Sequence, residues 1–158
     1  MASLLEDMMT VDWSALNQAI PAPSSVLPHR DPLLLIDRVC SISETEVVAE
    51  MCLPAEAPVF AGHFPGNPTV PGVYLIEAMA QTLAFHQRIL YPDQNVLLAA
   101  IKSAKFRSVV RPGDLVVMEV EVCKSRLQFV EGLGVAKVGT NIVAEVHCLG
   151  ARVALEES

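Results

Sequence analysis

The stretch HFPGNPTVPGVYLIEAMAQTLAF, residues 63–85, decides how the rest of the chain must fold. Five of its first ten positions are proline or glycine. Proline fixes φ and glycine opens turn conformations, so residues 63–72 read as a stiff loop. Of the next thirteen residues, 73–85, ten are apolar and none is glycine or proline. A helix apolar nearly all round has to be buried, and Pro71 and Gly72 suit its start. The helix reads on, more polar, past His86 and Arg88 and stops before Pro92.

Strands flank it. Upstream, residues 33–39, apolar at five of seven positions, read as a buried strand, with residues 45–53 as its hairpin partner. Downstream, Val116, Met118, Val120 and Val122 alternate with Val117, Glu119 and Glu121, the period-2 pattern of a half-buried strand. Residues 127–138 and 141–153 continue it through a Gly139-Thr140 turn, and Arg111-Pro112-Gly113-Asp114 marks another turn. The economical packing is α+β, a curved antiparallel sheet wrapped around one long buried helix. Such a sheet has open edges, and pairing two sheets across a dimer would cover one of them. Residues 1–25, which include Trp13 and end in Pro21, Pro23, Ser24 and Ser25, read as a short amphipathic helix and linker ahead of a single domain, 26–158.

Composition excludes several functions. The chain has 158 residues, 52% of them hydrophobic and 18% charged, which is one domain with a sizeable core. Its net charge of −7 argues against general nucleic-acid binding. No apolar run is as long as a membrane span requires, and Glu6, Asp7 and Asp12 stand where a secretory signal carries basic residues. A soluble cytosolic protein is the expectation. Cys40, Cys52, Cys123 and Cys148 form no C-x-x-C and read as reduced packing thiols, and the four histidines have no metal-ligand spacing.

Glu77 is the one charge in a helix that otherwise reads as core, and a buried carboxylate is costly unless paired or protonated. Gln81 follows one turn later on the same face. At this level a structural ion pair to an arginine is the plainer reading of Glu77, ahead of catalysis. His63 opens the stiff loop; a solvent-exposed or capping histidine is the plain alternative to a base. The helix start beside it offers unpaired N–H groups and positive potential, a seat for an oxyanion. A base, an acid and such a seat are the parts needed to take a proton α to a carbonyl and expel a β-hydroxyl. Lys102, Lys105, Arg107 and Arg111 concentrate positive charge in an acidic chain, either as ordinary solvated charges or as a docking patch for an acidic partner.

Three blocks carry a family resemblance: AGHFPGNPTVPGVYLIEAMAQ at 61–81, LPHRDPLLLIDRV at 27–39 and KFRSVVRPGD at 105–114. They resemble the FabZ-type 3-hydroxyacyl-[acyl-carrier-protein] dehydratases over roughly residues 26–150. The resemblance implies a hot-dog fold and dehydration of a (3R)-3-hydroxyacyl thioester to the trans-2-enoyl product. It also implies a homodimer, or a trimer of dimers, whose sites each take His63 from one subunit and Glu77 from the other. By motif position His63 is the general base and Glu77 the general acid. Gln81 positions Glu77 or a water, and the Gly72 N–H holds the thioester oxygen. No metal or redox cofactor is implied, since the substrate arrives on the phosphopantetheine of acyl carrier protein, which the basic patch would dock. Phe60, Phe64, Val73 and Tyr74 are candidates for the acyl-binding walls, each equally explicable as core. Asn67 stands where many relatives carry a second histidine, and Glu77 where the related dehydratase/isomerases usually carry aspartate. A hot-dog thioesterase and a non-catalytic acyl-carrier-binding subunit are the alternatives on the same fold.

Overall fold

A computed structural model describes residues 10–155. Helices α1 (Trp13–Gln18) and α2 (Pro23–Val26) precede strands β1 (Arg38–Ile42) and β2 (Glu46–Met51). A 3-10 turn (Pro58–Ala61) and the 63–71 loop lead into α3 (Gly72–Leu90). Strands β3 (Gln94–Phe106), β4 (Val116–Arg126), β5 (Phe129–Val138) and β6 (Asn141–Ala154) follow. The six strands form one antiparallel sheet in the order β1-β2-β4-β5-β6-β3. It curves around α3, and the register shifts along four of its five ladders supply the bends.

Small residues let the sheet close on the helix. The inward row of β5 is Val130, Gly132, Gly134 and Ala136, all buried. A Cβ on Gly134 would stand 2.6 Å from the Met79 sulfur, and one on Gly132 would stand 2.9 Å from Leu83. Both glycines are there because the helix occupies the space of their side chains. α3 is buried from Leu75 to Gln87 over most of its circumference, as its composition requires.

Two expectations are corrected. Of residues 33–39 only Arg38 and Val39 are strand, the first strand running on to Ile42. Leu33 and Leu34 donate to the Arg30 carbonyl, while the Leu33 carbonyl and Leu35 N–H are taken by the Gln81 side chain, so no ladder forms there. The cysteines are free, but only Cys148 is a core thiol, where burial pushes its pKa up to about 11. Cys40 and Cys123 are exposed and Cys52 partly buried.

A polar chain crosses the far end of the core. Arg152 is buried, donates to Gln87 Oε1 (2.6 Å) and Ser125 Oγ (2.9 Å), and lies 4.4 Å over the Tyr91 ring. Gln87 Nε2 donates to His86 Nδ1 at 3.0 Å, and His86 Nε2–H donates to the Ser43 carbonyl at 2.9 Å. Trp13 of α1 stacks on the His86 ring, and the Asn17 amide pairs with both backbone groups of Ile42. The network needs His86 neutral, because a proton on Nδ1 would face the Gln87 amino group and share the cluster with the Arg152 cation. Burial lowers the His86 pKa below its ordinary 6.5. The unfolded chain therefore takes up a proton that the native one refuses. The stability this contributes is present above pH 6.5 and is lost as pH falls toward the lowered native value. Calorimetry should show the melting temperature falling between neutral pH and about pH 5, with a shallower slope in His86→Gln; equal slopes would remove His86 as the cause.

Candidate active site

The 63–71 loop folds back on itself before entering the helix. Asn67 N–H donates to the Phe64 carbonyl (3.0 Å), Thr69 N–H to the His63 carbonyl (3.0 Å) and Val70 N–H to the Val110 carbonyl (2.8 Å). Gly66 takes φ +77°, which a side chain would strain. This closure fixes the His63 ring. Its Nδ1 lies 2.9 Å from the Thr69 carbonyl and 3.2 Å from Thr69 Oγ1. A carbonyl only accepts, so the proton sits on Nδ1 and Nε2 keeps its lone pair, the state a general base needs. Phe64 stacks on the ring at 4.0 Å and is itself exposed.

The α3 start is uncapped by any side chain. Tyr74 N–H bonds to the Pro71 carbonyl, and the N–H groups of Gly72 and Val73 have no partner among the described residues. Gly72, Val73, His63 and Thr69 line one cavity of about 440 Å³, with Phe106 across from them. The Phe106 ring lies where a Gly72 Cβ would be, 2.8 Å away, so glycine is needed for this close approach.

Glu77 belongs to a second cavity, of about 160 Å³, between α3 and strands β3 and β6. Gln81 Nε2 donates to Glu77 Oε1 at 2.8 Å and to the Leu33 carbonyl at 2.7 Å, and Gln81 Oε1 accepts from Leu35 N–H at 2.9 Å. Gln81 is buried, its amide clamped between helix and chain. With Oε1 of Glu77 held by a donor, Oε2 is the oxygen free to carry a proton. His29 Nε2 stands 3.6 Å from the same Oε1, and its Nδ1 is buried with no partner among the described residues. Within one chain, then, His63 and Gly72 share one cavity while Glu77 lines another.

The FabA-like domain family matches residues 27–147. The chain belongs to it. Among curated FabA-family relatives, the 3-hydroxyacyl-[acyl-carrier-protein] dehydratase FabZ of Caulobacter vibrioides is 43% identical over 126 residues, 77% of this chain and 79% of that one. The FabZ of Latilactobacillus sakei is 42% identical, covering 78% and 88%. The FabZ of Yersinia enterocolitica is also 42% identical, covering 91% and 88%. Among solved structures, the dehydratase heterocomplex ApeI:P of Xenorhabdus doucetiae superposes with TM-score 0.72 at 15% identity, covering 84% of this chain and 91% of that one. The fluoroacetyl-CoA-specific thioesterase FlK superposes at 0.60 and 14%, covering 70% and 86%. These two share the hot-dog fold.

The remaining site candidates separate. Val73 lines the His63 cavity. Phe60 is buried in the main core, and Tyr74 lines a third cavity with Pro32, Asp37 and Cys52. Tyr74 sits two residues from Gly72, about 200° round the helix, which turns it away. Lys102 is paired with Glu131 (2.6 Å) and Arg107 with Glu145, leaving Lys105 without an ion pair among the described residues. Arg111 reaches Asn67 Oδ1 in the His63 loop at 3.4 Å. The residues that sequence reading overlooked are His29, Thr69 and Phe106. All three lie inside the quoted motif blocks, but the contacts of His29 and Phe106 are tertiary, and that of Thr69 depends on how the loop closes.

No helix among the described residues is long and apolar enough to cross a membrane. Replacing Gln81 by Met keeps its volume but leaves a buried carbonyl and N–H unpaired, costing about 1–3 kcal/mol each at most. It should lower stability by chemical denaturation and cut kcat by at least about tenfold; unchanged kcat would show that Glu77 does not depend on the amide.

Proposed function

We propose that the chain dehydrates (3R)-3-hydroxyacyl-[acyl carrier protein] to the trans-2-enoyl form, as a dimer whose sites are each shared between two copies. The observation that carries this reading is the split of the machinery. His63 and the Gly72 N–H share one cavity, and Glu77 with Gln81 shares another. The FabZ relatives support the reaction class. β3 is an edge strand that exposes Leu97, Leu98 and Ile101 and runs from Phe106, beside Gly72, to the Glu77 cavity. Pairing two β3 edges would cover this apolar strand and face each His63 toward the other copy's Glu77.

In the reaction, His63 Nε2 takes the C2 proton while the Gly72 N–H holds the thioester oxygen as charge develops. Glu77 of the other copy gives its Oε2 proton to the C3 hydroxyl. Water leaves, the C2–C3 double bond forms, and exchange with solvent resets both groups. No metal or redox group takes part in this scheme.

His63→Ala and Glu77→Gln should each lower kcat by about 10²–10⁴, with enoyl product read by mass spectrometry. Mixing the two dead variants after reversible dissociation should restore up to about a quarter of wild-type activity, since half the dimers would be mixed and each would hold one intact site. No recovery from dimers known to exchange would overturn the shared site, and free acid as product would make the protein a thioesterase.

Lys105 and Arg111 are, on this reading, the positive charges that receive the acidic carrier protein near the His63 loop. Reversing both to Glu should raise KM for carrier-bound substrate by at least about tenfold at low salt, and much less for a pantetheine thioester. Equal effects on the two substrates would exclude docking there.

A further inference from the structure

We infer that His29 is a positioning residue of the dehydration, a neutral N–H donor that closes on Glu77 as that carboxyl gives up its proton. The inference rests on the dehydratase reading above, which makes Glu77 the acid. His29 Nε2 stands 3.6 Å from Glu77 Oε1, the oxygen that Gln81 already holds at 2.8 Å. That separation is too long for a hydrogen bond in the resting chain. Catalytic contacts often start long and tighten only as charge develops. While Glu77 is protonated it is neutral, and the Gln81 amide suffices for its carbonyl-like Oε1. Once Oε2 loses the proton, both oxygens share a negative charge, which draws a second donor onto Oε1. A bond made at that moment favours the transition state over the bound substrate.

The surroundings say which nitrogen carries the proton. His29 Nδ1 is buried and has no partner among the described residues. A neutral imidazole has one N–H to place. On Nδ1 it would be buried without an acceptor, and the Nε2 lone pair would face a carboxyl oxygen. On Nε2 it points at Glu77 Oε1. An imidazolium would bury a further N–H unpaired, so His29 acts as a neutral donor rather than as a counter-ion.

Little else competes for the pair. Arg30 turns its guanidinium back to the carbonyls of Leu27 (2.9 Å) and His29 (2.6 Å). Around the pair β3 presents Val96, Leu97 and Leu98, and β6 presents Gly150 and the Cys148 thiol, which burial keeps protonated. Across the proposed dimer the titratable group facing Glu77 is His63 of the other copy. The contact is also held from both sides. Leu27 is buried in the core, and Gln81 clamps the Leu33 carbonyl and the Leu35 N–H. His29 lies between these anchors, and the same Gln81 side chain holds Glu77. Both members belong to one chain, so the contact forms without a second copy.

The test uses the assembled enzyme and carrier-bound 3-hydroxyacyl substrate. His29→Leu should lower kcat by about tenfold, what one hydrogen bond to a charged group supplies, with KM within about twofold of wild type. His29→Gln places a donor near the Nε2 position and should recover at least about threefold of that loss. A merely structural role would not move the carboxyl itself. The second readout is therefore the carboxyl carbon NMR signal of Glu77, identified by its absence from Glu77→Gln. It should titrate at higher pH in His29→Leu than in wild type, because losing a donor destabilises the carboxylate. An unmoved titration sinks the inference whatever kcat does. The imidazole nitrogen NMR shifts of wild-type His29 read the tautomer directly, so a proton on Nδ1 sinks it too, even where His29→Leu fails to assemble. Wild-type kcat in His29→Leu would remove His29 alone and leave the dehydratase reading intact. No enoyl product from the wild type, or full activity in Glu77→Gln, would overturn that reading and this inference with it.

Discussion

The buried amide of Gln81 is the joint on which the rest of the structure depends. A side-chain amide in a core must find partners for its donors and its acceptor or cost the fold their desolvation. Gln81 finds them in the Leu33 carbonyl, the Leu35 N–H and Glu77. Those three bonds dock the entering chain onto α3, keep residues 33–35 out of the sheet and fix one oxygen of the carboxyl. The same contact therefore sets where β1 begins and which oxygen of Glu77 faces the cavity. Hydrophobic burial holds helix and sheet together but is non-directional. The amide supplies the register.

On the proposed reading, α3 also explains why His63 and Glu77 of one copy do not meet. Gly72 and Glu77 are five residues apart, so their directions from the axis differ by about 140°. The N–H groups at the helix start point out of its end, toward His63 and Phe106, while the Glu77 side chain leaves sideways toward β3 and β6. A rigid helix does not bring the two together. On that reading a second copy would, paired along β3, an edge strand that adjoins both cavities and exposes apolar side chains.

What was legible in the sequence was local. The 63–72 loop shows in its prolines and glycines, and the helix in its unbroken apolar composition. The turn at Gly139, with φ +59°, is where a glycine was placed for one. Glu77 stood out because a single charge in an apolar helix demands a reason. What was not legible lay in pairings across long separations. Residues 33–36 look like a strand until Gln81, 48 positions beyond Leu33, takes their backbone. Lys102 and Arg107 look like free charges until β5 and β6 bring Glu131 and Glu145 beside them. Nothing local marks His29, and only the packing of that segment over α3 sets its ring beside Glu77. Cys40 and Cys123 sit in apolar stretches but on outward strand positions, which composition does not distinguish from inward ones.

The two glutamines of α3 divide its length in a way that bears on function. Gln81 anchors the helix to the entering chain, and Gln87 anchors it to Arg152 and, through His86, to the β1–β2 turn. Arg88 adds carbonyl-held positive charge at the C-terminal end, where the helix dipole favours a cation. Both arginines are satisfied by neutral oxygens among the described residues. The stretch between the anchors holds Leu83 and Ala84, with β5 drawn close by Gly132. A change at either anchor therefore reaches beyond α3: displacing the Gln87–Arg152 pair would shift the His86 ring that Gln87 holds, and with it the seat of α1.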